Sequence, residues 1–179
     1  MDIINTIKHE KLGIINCIAD EDGYPLAWIK NKEVNLFSNK LKNIVIKFNF
    51  YCFNKVFKYE ESDRYTAQKL NENISKLYKD FLNSREEIEK EFYRCYKEEI
   101  KPNLDEVSRE EIIINSKDMY KFVEIKEVRI YSDGFAVIIK TPWYDEELGV
   151  EKKIEKNGES WMDVSFESSI EPVEMNYND

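Results

Sequence analysis

The chain has 179 residues, of which 42% are hydrophobic and 13% aromatic against 35% charged. That length suits one domain able to bury about two thirds of its unfolded surface, so no disulfide or metal staple is required, and the apolar content excludes wholesale disorder. A formal charge of −9 opposes the phosphate backbone and disfavours nucleic acid as a partner.

From Ile3 to Tyr59 the chain reads as strands. Ile3 to His9 comes first, Lys11-Leu12-Gly13 breaks it, Ile14 to Ala19 follows, and Asp22-Gly23 marks a hairpin turn. Leu26 with Trp28, and Val34 with Leu36, fit two short strands. Ile44, Ile46, Phe48 and Phe50 then alternate with Val45, Lys47, Asn49 and Tyr51, so one face of that strand belongs to the core.

After Glu60-Glu61-Ser62-Asp63 the period changes. Ala67, Leu70, Ile74, Leu77 and Phe81 recur at three- and four-residue steps, which predicts an amphipathic helix over residues 64–82. Ser84-Arg85-Glu86-Glu87 has the spacing of a capping box, in which Ser84 accepts from the Glu87 amide, and opens a second helix with Ile88, Phe92, Tyr96 and Ile100 inward. Pro102 cannot continue that helix, so residues 102–107 read as a loop. For 112–122 β-branching and a weak cap compete, and short helical turns are the expectation.

The last third returns to strands. Val123 to Tyr131 and Phe135 to Thr141 join at Asp133-Gly134, and Gly149 to Lys156 and Ser160 to Phe166 join at Asn157-Gly158, which gives two antiparallel hairpins. Residues 1–179 thus read as a single domain: 1–61 mainly strands, 62–122 mainly helical, 123–167 two hairpins and 168–179 an acidic tail. The fold class is α+β, with antiparallel sheets built from hairpins and packed by a central pair of helices rather than βαβ units.

Chemistry is sparse. His9 is the one histidine, with no serine or cysteine close in sequence, and reads as structural or exposed. Cys17, Cys52 and Cys95 are odd in number and widely spaced, which suits reduced, buried thiols rather than a disulfide framework or metal site. Each of the five glycines has a turn to serve, so no phosphate loop and no cofactor is expected. With no basic leader and no apolar run of about 18 residues, the chain is expected in the cytoplasm, away from membranes.

The acidic charge is uneven. Residues 141–179 hold eleven Asp or Glu against three Lys, while the first 140 hold 25 against 24 Lys or Arg. Such a field attracts a basic partner. It is densest at Asp145, Glu146 and Glu147, beside Trp143 and Tyr144. Those carboxylates fit a solvated connection, a surface that meets Lys or Arg on a partner with Trp143, Tyr144 or Trp161 as anchors, or a metal-binding or acid/base pair of Asp145 and Glu147.

The stretch from Trp143 to Phe166 resembles the terminal hairpin of an uncharacterised bacterial domain family that includes immunity proteins of polymorphic toxin systems, whose members show Trp-Asp-x-Glu-His-Gly before a strand and a turn. Asp145, Glu147 and Gly149 match, while Tyr144 stands in the place of the Trp and Leu148 in the place of the His. The order of elements is similar as well. The resemblance implies a protein that binds and neutralises a cognate toxin without catalysis, and the C-terminal charge assigns the contact with a basic partner to Trp143, Tyr144, Asp145, Glu146, Glu147, Glu159, Trp161 and Asp163. Leu148 can neither ligate a metal nor carry a proton. Two other readings stay open: a metal-dependent hydrolase using Asp145 and Glu147, and a structural or scaffold subunit.

Overall fold

A computed structural model describes residues 2–19, 21–23, 25–37, 39–48, 72–104, 116–131, 133–155 and 157–170. The strands are β1 (Asp2–His9), β2 (Gly13–Ala19), β3 (Pro25–Leu36), β4 (Asn39–Phe48), β5 (Glu124–Ile130), β6 (Gly134–Lys140), β7 (Leu148–Ile154) and β8 (Ser160–Phe166). Two helices, α1 (Glu72–Asn83) and α2 (Arg85–Cys95), lie between β4 and β5. The fold is α+β, and all eight strands form one sheet in sequence order.

Every neighbouring pair is antiparallel except β4 with β5, which run parallel from Val45–Glu127 to Phe48–Ile130. The expectation of separate antiparallel sheets without a βαβ unit is corrected here. A parallel pair needs a crossover of a dozen or more residues, and the helical connection between β4 and β5 is long enough to serve. The two C-terminal hairpins are likewise one meander, because β6 pairs with β7 from Gly134–Lys153 to Ile139–Leu148.

Local chemistry explains the turns. Gly13, Gly23 and Gly158 all have positive φ (75°, 84° and 88°), the region that glycine enters without steric cost, and they end or turn strands as the sequence indicates. The two short strands expected around Trp28 and Val34 are one twelve-residue strand, β3, whose pairing with β4 shifts register between Lys32 and Val34. A bulge of this kind absorbs a break in alternation without ending the strand. Phe37 turns the chain into β4 at φ 51°, with its ring in the core and its N–H donating to Glu89 Oε1 at 2.6 Å.

α1 contacts β5 and β6, and α2 contacts β3, β7 and β8. Ile74, Leu77 and Phe81 of α1 are buried as the period predicts, as are Ile88, Phe92, Tyr96 and Ile100. Phe81 meets Phe135 edge-on at 5.6 Å, and Phe37 meets Phe92 in the same way at 5.6 Å. Burying such a side chain contributes about 1.5–3 kcal/mol before its ordering entropy. The earlier part of the predicted first helix, with Ala67 and Leu70, lies outside the described residues, as does residue 112–115 of the turn region; Ser116–Lys121 is a 3₁₀ turn.

Two helix-end expectations need correction. The capping box does not form: Ser84 makes no side-chain cap bond, and its Oγ instead accepts from Lys152 Nζ at 3.2 Å, while Glu87 Oε2 accepts from the same ammonium at 3.1 Å. A buried cation requires acceptors, and charge-assisted bonds outweigh a neutral cap. Beyond Cys95 the helix continues as a π segment, Tyr96–Ile100, and then a turn, Lys101–Asn103, so Pro102 is helical rather than the start of a loop. Pro102 sits in the first turn after the register change, where its missing N–H is least costly.

The opposite face of the C-terminal meander carries a small second core of Tyr131, Ala136, Ile138 and Ile170. Ile170 packs where β7 has no side chain: a Cβ on Gly149 would lie 1.9 Å from Ile170 Cδ1. Gly149→Ala should therefore displace Ile170 and cost about 1–3 kcal/mol by overpacking. In urea denaturation the Gly149→Ala, Ile170→Ala double variant should lose less than the sum of the single variants; strict additivity would show that the two sites do not touch.

Candidate functional site

The residues singled out in the C-terminal third separate into three groups. Trp143 and Tyr144 are half-buried and pack inward. Trp143 meets Tyr96 at a tilt at 4.8 Å and stacks on Phe122 at 6.0 Å, and Tyr144 meets Phe166 edge-on at 5.3 Å. Their aromatic surface is spent on holding the β6–β7 connection against α2 and the end of β8, which leaves less of it for a partner.

Asp145, Glu146 and Glu147 form the bend before β7. Asp145 and Glu146 are exposed. Glu146 Oε1 accepts from the Ser168 N–H at 3.2 Å, and the Glu147 carbonyl accepts from the Glu167 N–H at 2.7 Å. The bend thus holds the 3₁₀ turn Glu167–Ser169, and Arg129 of β5 holds the same turn through Glu167. Arg129 also bonds Glu127 at 2.7 Å, and Glu127 pairs with Lys47 of β4 at 2.7 Å. Burial works against the charge on Arg129, yet its hydrogen bonds to Glu127 and Glu167 outweigh burial and hold its pKa above the ordinary value.

Glu159, Trp161 and Asp163 make the third group, on β8 and the turn before it. Trp161 is 42% exposed, and Glu159 and Asp163 are exposed on either side of it. Glu159 accepts from Asn157 Nδ2 at 3.0 Å. Arg94 of α2 stands 3.8 Å from Asp163 and is engaged more closely by Glu91 at 2.5 Å and Glu98 at 2.9 Å. Leu148 pairs with Phe166 and Ile154 with Ser160, so the Asp145–Glu147 bend and the Trp161 group lie at opposite ends of the hairpin. Phe166 lies five steps along the strand from Trp161, about 16 Å. The single surface read from the sequence is two surfaces.

A cleft of about 670 Å³ between α1 and the β7–β8 turn was not legible in the sequence; Lys76, Lys79, Asp80, Asp133, Lys152 and Glu155 line it. Three lysines and three carboxylates thus border it. Lys152 is bound on Ser84, Glu87 and, at 3.4 Å, Asp80. Burial lowers its pKa, but the bond to Glu87 and the charge of Asp80 more than offset that, so it stays charged at neutral pH.

Among the described residues, no three His, Cys, Asp or Glu side chains gather as a metal site would require. No helix among them is long and apolar enough to cross a membrane. No family model matches the chain, and no curated protein or solved structure is significantly similar to it.

His9 closes the β1–β2 turn: its Nδ1 accepts from the N–H groups of Lys11 and Leu12, at 3.1 Å each. Burial lowers its pKa from the ordinary 6.5, with Glu10 opposing and Lys11 assisting. The unfolded chain then binds the proton more readily, so the His9 contribution to stability is present above pH 6.5 and is lost as pH falls through the depressed folded value. His9→Asn supplies a similar acceptor that does not titrate, and urea midpoints followed from pH 8 to pH 5 should fall less in that variant than in the parent.

Burial pushes the Cys17 thiol up to about 12. Burial, reinforced by Glu99, pushes Cys95 up to about 11. Neither is a nucleophile at neutral pH. Iodoacetamide at pH 8 should modify both at least about a hundredfold more slowly than a free thiol, and at ordinary rates in denaturant, as peptide mass spectrometry would report.

Proposed function

We propose that the protein is an immunity-type inhibitor that acts in the cytoplasm, binding a cognate bacterial toxin domain and neutralising it by occupancy rather than by catalysis. One observation carries this reading: an indole, Trp161, stands exposed between the carboxylates of Glu159 and Asp163, within residues 141–179, which hold eleven acidic residues against three Lys. Exposed tryptophans are favoured interface anchors, and a surrounding field of one sign steers a partner of the other. In this reading the central helix pair packs the hairpin-built sheet into a rigid platform, and the partner presents a basic surface.

The resemblance read from the sequence between the stretch Trp143 to Phe166 and the terminal hairpin of the immunity-containing family points the same way. Gly149 of that pattern has a packing reason, the seat of Ile170. Asp145 extends the acidic surface, whereas Glu146 and Glu147 serve the fold as well, so the contact is assigned first to Glu159, Trp161 and Asp163.

The test is co-purification with the inactivated product of the adjacent upstream gene, followed by rescue of cells that produce its active form. A stoichiometric complex with rescue is expected, with association slowing as salt rises. Trp161→Ala should weaken the complex by roughly tenfold or more. Absence of both binding and rescue would overturn the proposal.

A further inference from the structure

The two edges of the sheet are built differently. β1 pairs with β2 through a register shift between Ile3 and Asn5 and carries Lys8, two of the devices that discourage a further strand. β8 has neither. Its seven residues pair with β7 without interruption, from Leu148–Phe166 to Ile154–Ser160, and the strand contains no proline, glycine, lysine or arginine. Among the described residues no strand lies on its outer side.

An edge of this kind offers a row of backbone donors and acceptors to an incoming strand. Along it Met162 and Val164 pack against the core, and Trp161 and Asp163 alternate with them. Trp161 and Phe166 are each 42% exposed. Asp163 is the middle residue of β8, so an antiparallel pairing of two copies about that centre would set Asp163 against its own copy. Directly opposed like charges destabilise such a pair. Glu159 repeats the charge just before the strand, whereas Glu167 after it is paired with Arg129.

The geometry points to β8 as a strand-addition site for a basic, extended segment of a partner protein. A lysine or arginine of that segment faces Asp163, an apolar side chain covers Trp161, and main-chain hydrogen bonds along the edge supply the remaining affinity. The site deepens the reading as an inhibitor, and rests on it for the identity of the natural partner alone. The Asp163 carboxylate that disfavours self-pairing selects the partner.

The test uses the full chain and a synthetic peptide of about eight residues, close to the usual length of a strand, in which a valine and a lysine two positions apart share one face and so meet Trp161 and Asp163 together. Hydrogen–deuterium exchange should slow across Ser160–Phe166 on peptide addition and stay unchanged in β1. Methylating the peptide's alternate backbone nitrogens on the pairing side should abolish the effect. Asp163→Lys and Trp161→Ala, both at exposed positions, should each weaken binding by about tenfold while leaving the melting temperature in place. Slowing at β1 instead, no slowing anywhere, or equal binding of the methylated peptide would overturn the strand-addition site. Slowing at β8 without toxin rescue would overturn only the immunity reading, and rescue without slowing at β8 would overturn only the edge site.

Discussion

The parallel pairing of β4 with β5 is the constraint on which the rest of the molecule depends. Four residue pairs, Val45–Glu127 to Phe48–Ile130, join an N-terminal antiparallel meander to a C-terminal one. Either meander alone would leave one apolar face open, because neither contains a helix. Pairing them edge to edge requires the chain to cross over, and the crossover carries α1 and α2 to places where they touch strands of both halves. The junction is also where Lys47, Glu127 and Arg129 meet, so charges from both halves satisfy one another as the sheet forms.

Arg129 passes that order on to the C-terminal end. It holds Glu167, the Asp145–Glu147 bend holds the same turn from the other side, and Ile170 then drops into the space over Gly149. The acidic bend therefore has a structural role that its composition does not suggest. Three carboxylates in succession look like a site, yet the side chain of Glu146 and the backbone of Glu147 are occupied in holding the chain to itself. Among the residues singled out, Asp145 stays exposed at the bend, and Glu159, Trp161 and Asp163 stay exposed toward the other end of the hairpin.

The same competition appears at the helix junction. Ser84 and Glu87 have capping-box spacing, and in an isolated helix they would bond the helix amides. Folding brings the ammonium of Lys152 between them from a strand 65 residues away in sequence. A cation taken out of water draws the acceptors within reach, and the local motif yields to it.

Period and turn chemistry alone determined much of the secondary structure: alternation at Ile44, Ile46 and Phe48, the helical steps of Ile74, Leu77 and Phe81, and glycine at the positive-φ turns Gly13, Gly23 and Gly158. Those signals are local, since each depends on residues within a turn or a strand of one another. Composition also showed the acidic bias of the last third and marked Trp161 and Asp163 as candidates. Tertiary structure alone decided that the two meanders make one sheet, that β3 runs unbroken through a register shift, that Trp143 and Tyr144 turn inward, and that β8 is the terminal strand of the sheet among the described residues. Each of these depends on which distant strands and charges become neighbours, and hydrophobic period is blind to that choice because a buried residue carries the same pattern whichever partner buries it.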